Sequence, residues 1–194
     1  MTKYSQAGQD KFVLSLFEEN YNGFFIDIGC WMPDDLNNTL RLEESGWKGI
    51  SLDITNMGNE WKIRNTPFIC ANALLCDYKE LFETYSIPRV IDYLSLDIEG
   101  NGARYSALLK LFVTNYEYKI ITIEHDSYRG YVETERKKQR EFLIKNGYVL
   151  VCSDVMLSGN PFEDWWINPK YIEEYKYIRL ISNNLSYEDI MKKL

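Results

Sequence analysis

Acidic side chains stand at the ends of apolar runs in this sequence. Asp27 lies in "GFFIDIG", Asp53 ends "GISLD", Asp97 and Glu99 end "YLSLDIE", and Glu124 with His125, the single histidine, ends "IITIEH". Gly29 closes the first run. A glycine there lets backbone approach a ligand, and a following helix offers unpaired N–H groups to an anionic group. A carboxylate ending the second run can accept the two hydroxyl hydrogen bonds of a ribose. Imidazole titrates where a general base is useful, so His125 is the first candidate for deprotonating a hydroxyl, with a structural histidine as the alternative. The pattern points to a nucleoside-bearing cofactor and a proton to be removed beside it.

The glycine count chooses among nucleosides. Loops of the G-x-G-x-x-G type use extra glycines so that pyrophosphate can touch the backbone. Here "GCWMPD" supplies one glycine, followed by Cys30, Trp31 and Pro33, and Asp34 adds negative charge. Pyrophosphate is badly served by such a loop. S-adenosylmethionine, with a sulfonium cation and an amino-acid end, is tolerated by the acids. Trp31 can cover the methionine arm, stack on a sugar ring, or simply pack. In an alternative, Asp97, Glu124 and His125 hold Mg2+, a hard cation that polarises a substrate hydroxyl. Asp97 also has a structural alternative as the cap of a helix starting near Asn101.

Elements that would position these residues alternate along the chain. "GQDKFVLSLFEEN" has helical spacing, and the strand "GFFIDIG" leads to a helix over "DDLNNTLRLEESG". Strands follow at "WKGISLDI", "TPFICANALL", "VIDYLSLDIEG", "YKIITIEHD", "YVLVCSDV" and "FEDWWINP". Helical segments separate most of them, among them "ARYSALLKLFVTN" and "TERKKQREFLIKNG". Strand–helix alternation argues for an α/β fold with a mostly parallel sheet and helices on both faces. The last two strands lack a helix between them, which implies a closing antiparallel hairpin. Trp165 and Trp166 then face opposite sides of a strand, mainly as core.

The chain has 194 residues, 45% hydrophobic and 26% charged, which is a globular composition and most simply one domain. Its expected parts are an N-terminal helix over 1–20, a sheet core over 21–168 and a partly helical tail over 169–194. Net charge is −7, and the dense basic run "ERKKQR" lies among acids on an expected helix as a solvated face, so nucleic acid is not the expected partner. Four cysteines show no metal spacing and fit a reducing compartment. No apolar stretch approaches the ~18 residues of a membrane span, and a cytoplasmic protein acting on a small molecule is expected. Oligomeric state is left open.

"SQAGQDKFVL", "GFFIDIGC…NNTLRLEESGWKGISLD", "YLSLDIEG", "ITIEHD" and "FEDWWI" occur in one order from about Ser5 to Ile167. Together they resemble the FkbM-type S-adenosylmethionine-dependent methyltransferases. The resemblance implies a class I, Rossmann-like methyltransferase fold with seven strands, the last antiparallel, and O-methylation of a sugar or other small hydroxylated metabolite. It implies that Asp27 and Gly29 lie at the methionine end, with Cys30 and Trp31 in the same loop. Asp53 would hold the ribose beside Ile54, Asn72 with Ala71 and Ala73 would flank the adenine, and Asp97 to Gly100 would floor the reaction centre. Asp97, Glu99 and His125 are then the expected catalytic residues. Gln6, Gln9 and Asp10 belong to the "SQxGQD" signature, as cofactor contacts or a helix start. Where family members commonly have a small residue, a later glycine and "SNT", this chain has Cys30-Trp31-Met32-Pro33 and Asn37-Asn38-Thr39. The alternative function is a cofactor-binding protein without transfer, a sensor or interaction module.

Overall fold

β-Branched and aromatic runs become strands because their side chains pack well on a pleated, buried surface. A computed structural model describes residues 3–129 and 133–193. Met1, Thr2 and Leu194, the ends of the expected domain, lie outside the described residues, as do 130–132. The strands are β1 (Phe24–Ile28), β2 (Lys48–Asp53), β3 (Phe68–Cys70), β4 (Val90–Leu96), β5 (Glu117–Glu124), β6 (Val149–Leu157), β7 (Asn160–Ile167) and β8 (Ser182–Asn183). They form one sheet in the order β3-β2-β1-β4-β5-β7-β6-β8. β1 to β5 run parallel, and β7 inserts antiparallel between β5 and β6. The expected closing hairpin turns at Ser158 and Gly159, whose φ of 51° and 81° suit the twist of a two-residue hairpin.

β8 is one strand more than expected. It lies in the tail and pairs Ser182 with Cys152 and Asn183 with Ser153. An edge strand as long as β6 presents unpaired backbone groups, and the tail covers part of that edge.

Side-chain alternation divides the core in two. Ile26 and Ile28 of β1, Ile121 and Ile123 of β5 and Trp166 of β7 belong to one buried cluster. Phe25, Ile120 and Trp165 belong to the other. Trp165 stacks on Phe12 with ring centroids 4.6 Å apart. Both tryptophans are therefore core on opposite faces, and neither lines a cleft.

The helices are α1 (Gln9–Ser15), α2 (Leu40–Glu44), α3 (Tyr78–Thr84), α4 (Ala103–Val113), α5 (Glu133–Lys145), α6 (Glu174–Tyr177) and α7 (Tyr187–Met191). α2 starts later than the sequence suggests. Asn37 is the reason: its Nδ2 donates to the Cys30 and Met32 carbonyls, while its Oδ1 accepts from the Thr39 and Leu40 N–H groups. The side chain holds the preceding loop and caps the short helix together. α5 corrects the expectation of a solvated basic face. Lys137 and Lys138 are exposed, but Glu135 and Gln139 are buried, and Arg136 and Arg140 turn inward to carboxylates.

Candidate active site

Register lines up the acid-ended strands. Ile28 pairs with Leu52 on one side and Leu96 on the other, and Leu96 pairs with Ile123. The next residues, Gly29, Asp53, Asp97 and Glu124, therefore stand at one level along the carboxyl edge. Glu124 in turn pairs with Glu163 of β7. Strand order reverses between β1 and β4, the place where open parallel sheets leave a crevice.

A cavity of about 480 Å³ opens there. Gly29, Trp31, Asp53, Ile54, Ala71, Asn72, Ala73, Asp97 and Glu99 all line it, with Leu52, Thr55, Leu74, Ile98 and Ala103. The Asp53 carboxylate accepts the Trp31 N–H at 3.0 Å through Oδ2 and the Thr55 N–H at 2.7 Å through Oδ1. Each oxygen keeps a further lone pair for a ligand hydroxyl. Trp31 is 52% exposed and has a φ of 48°, an uncommon conformation for a bulky residue.

Gly29 has a different reason from ligand approach. Its φ is 86°, and a Cβ there would lie 1.7 Å from the Asp97 carbonyl oxygen. The bare backbone lets the ends of β1 and β4 come together.

Asp27 and Cys30 do not line this cavity. Asp27 is buried and accepts from Thr39 Oγ1 at 2.8 Å; burial pushes its carboxyl up to about 6, against the pull of Thr39 and Arg64. Burial likewise pushes the Cys30 thiol well up. Both are internal supports of the loop rather than part of the cavity wall.

A second cavity of about 440 Å³ adjoins the first and shares Asp97 and Glu99 with it. Gln6, Glu124, Asp126, Tyr128, Leu157, Ser158, Asn160 and Phe162 complete its wall. Arg104 of α4, buried, bonds through Nη2 to Glu124 and to Asp126. Asp97 and Glu124 are lateral neighbours at the ends of β4 and β5 and interact directly. Burial first raises both carboxyls; repulsion from Asp97 adds to Glu124 and repulsion from Glu163 adds to Asp97, so that the pair keeps a proton near neutral pH, while Arg104 pulls the other way. Beside them burial pushes the Glu163 carboxyl up to about 8 despite hydrogen bonds from Trp165 and Gln9. The signature residues are thus placed: Gln6 on this wall, Gln9 on Glu163, and Asp10 on Ser5 and Arg41.

His125 overturns the expected base. Its ring is fully buried and belongs to neither cavity wall. Nδ1 accepts from the Ser127 N–H at 3.2 Å, so Nε2 carries the hydrogen in the neutral tautomer. Nε2 faces Asp154 at 3.4 Å and Asp164 at 3.5 Å. The expected Mg2+ alternative fails with it, because Asp97, Glu124 and His125 do not converge and Arg104 already meets Glu124. His125, Asp154 and Asp164 do cluster closely enough for a cation. That role is filled by guanidiniums: Arg136 and Arg140 bond Asp154, and Arg140 grips Asp164 at 2.7 and 2.8 Å. Burial would raise Asp164, but Arg140 and His125 hold its carboxyl down at about 2.

Asp97 does not cap α4. Gly102 and Tyr105 donate their N–H groups to Glu135 of α5 instead. Arg104 and Glu135 were not singled out as site residues because each acts through a partner distant in sequence. One local signal existed: an arginine at the second position of the helix that follows "DIEGNG".

No helix among the described residues is long and apolar enough to cross a membrane. No family model matches the chain, and no curated protein matches it. Solved structures do match in fold. A putative rRNA methylase from Clostridium thermocellum has a TM-score of 0.58 at 14% identity, over 84% of this chain and 97% of that one. Human methyltransferase-like protein 13, solved with S-adenosylhomocysteine, has a TM-score of 0.58 at 12% identity, over 94% and 89%. A Burkholderia thailandensis 1,6-didemethyltoxoflavin N1-methyltransferase, solved with that substrate and S-adenosylhomocysteine, has a TM-score of 0.53 at 13% identity, over 84% and 77%. The fold of this chain is the Rossmann-like α/β fold of S-adenosylmethionine-dependent methyltransferases.

Proposed function

We propose that this chain is a single-domain S-adenosylmethionine-dependent methyltransferase of the FkbM type that O-methylates a hydroxyl of a sugar or other small metabolite. One observation carries the reading: the in-register edge that sets Gly29, Asp53 and Asp97 side by side on one cavity. The wall suits the cofactor. Ile54, Ala71, Ala73 and Leu74 offer apolar surface for adenine, with Asn72 for its polar edge, and Asp53 keeps lone pairs for ribose hydroxyls. Trp31, Asp97 and Glu99 face the methionine end, where acids suit a sulfonium and an ammonium group.

Bound there, S-adenosylmethionine supplies an electrophilic methyl group. The chain's own work is to align the acceptor and to take its proton. Alignment can contribute about 7–11 kcal/mol at best, and a positioned base about 10²–10⁴-fold. Asp97 and Glu99 belong to both cavities, so an acceptor in the second cavity would meet them beside the methyl group. Acids dominate that wall, which favours an uncharged acceptor over a phosphate-bearing one.

Isothermal titration tests the reading. S-adenosylhomocysteine and S-adenosylmethionine should bind, and NAD should not. Saturable NAD binding without either would overturn it. Binding without turnover of S-adenosylmethionine across a panel of methyl glycosides and polyols would favour the sensor alternative.

A further inference from the structure

With His125 walled off, the acceptor's proton needs another destination, and two carboxyls stand where it is needed. Asp97 and Glu124 are lateral neighbours on β4 and β5 because Leu96 pairs with Ile123. Two buried carboxyls so placed hold one proton between them more readily than both ionise. Asp97 belongs to both cavities and Glu124 to the second. Among the described residues, Arg104 of α4 is the cation facing the pair. Asp27 on β1 and Asp126 beyond β5 are further acids around it, Glu163 on β7 holds its own proton, and Glu99 shares both cavities.

We propose that Asp97 and Glu124 form a catalytic base that releases its shared proton when a sulfonium arrives at the junction of the two cavities, and then takes the proton of an uncharged hydroxyl seated in the second cavity. The proposal rests on the methyl-donor reading of the first cavity. Among the described residues, a doubly ionised pair is poorly held by one guanidinium that Asp126 also shares, with Asp27 and Glu99 close by. A second positive charge in the adjoining cavity compensates it, and the displaced proton leaves through the open second cavity to solvent. Glu124 is then a catalytic residue and Arg104 its positioning residue.

The transfer balances. The acceptor oxygen forms a bond to the methyl carbon as the carbon–sulfur bond breaks, and that bond's electron pair stays on sulfur. The hydroxyl proton moves to the pair, which ends with one shared proton, as it began. One positive charge disappears at sulfur and one negative charge at the carboxyls. The base is thus armed only when the methyl donor is present.

Titration calorimetry in two buffers of different ionisation heat, near neutral pH, counts the protons exchanged on binding. S-adenosylmethionine should release roughly half a proton or more beyond S-adenosylhomocysteine, which lacks the sulfonium charge. Glu124→Gln keeps a hydrogen-bond donor toward Asp97 but has no proton to lose. It should abolish most of that difference while holding the S-adenosylhomocysteine Kd within about threefold of wild type, since neither cofactor cavity wall nor Asp53 is altered. Equal proton counts for the two ligands in the wild-type protein, or an unchanged difference in Glu124→Gln, would overturn the base and leave the methyl-donor site standing. Failure of both ligands to bind wild type would overturn both readings. The wild-type comparison stands even if the variant misfolds.

Discussion

Asp53 does two things at once, and its replacement should separate them. Its carboxylate fixes the Trp31 and Thr55 N–H groups and keeps lone pairs facing the first cavity. Asp53→Ala should weaken S-adenosylhomocysteine binding by about 1.5–3 kcal/mol, the scale of lost charge-assisted hydrogen bonds. Titration calorimetry measures it, and an unchanged Kd would remove the ribose assignment. Gly29 was legible as necessary, though for another reason. Its positive φ and the Asp97 carbonyl beside it leave no room for a side chain. Gly29→Ala should cost more than about 2 kcal/mol of folding stability, read as a lower urea midpoint at unchanged slope. A midpoint within error of wild type would show that β1 and β4 can separate there at no cost.

At the scale of elements, α5 is the least expected. A basic run on a helix looked like a solvated face, yet Arg136 and Arg140 serve acids in the middle of β6 and β7. Helical periodicity explains the division: Glu135 and Gln139 lie one turn apart on the buried face, with Arg136 and Arg140 beside them. Arg140→Leu would leave Asp164, fully buried, without its bidentate partner. The expected loss is about 3–5 kcal/mol of stability, seen as a drop in Tm. Adding Asp164→Asn should recover part of it, and strict additivity of the two changes would argue against a coupled pair.

Over the whole molecule the buried acids set opposite pH dependences. Asp164 has a folded pKa of about 2, below its ordinary value. Its contribution is present above about pH 4 and is lost as pH falls toward 2. Glu163, raised to about 8, behaves in the other sense, because the folded state holds its proton where the unfolded chain has released it. Stability falls as pH rises from about 4.5 to 8, by a few kcal/mol in order of magnitude. Asp27, raised to about 6, adds to the same slope at its lower end. Urea midpoints should therefore be higher near pH 5 than near pH 8. A flat profile across that range would show that Glu163 is ionised in the folded protein.

Local pattern sufficed for β1 to β7, their alternation with helices, the closing hairpin and the acids at strand ends, because these follow from side-chain period and turn chemistry within a few residues. Gly29, Asp53 and Asp97 of the first cavity were nameable for the same reason: each ends a strand or follows one directly. What the sequence could not supply was which way strand-end side chains turn and which distant cations meet them. His125 and Glu124 are adjacent in sequence, and alternation across β5 sends one toward Asp154 and Asp164 and the other toward Asp97 and Arg104. Helix packing, through Arg104, Arg136 and Arg140, decided which carboxylates are neutralised. Charge compensation over long sequence separations depends on tertiary contact, and that contact leaves no periodic trace in the chain.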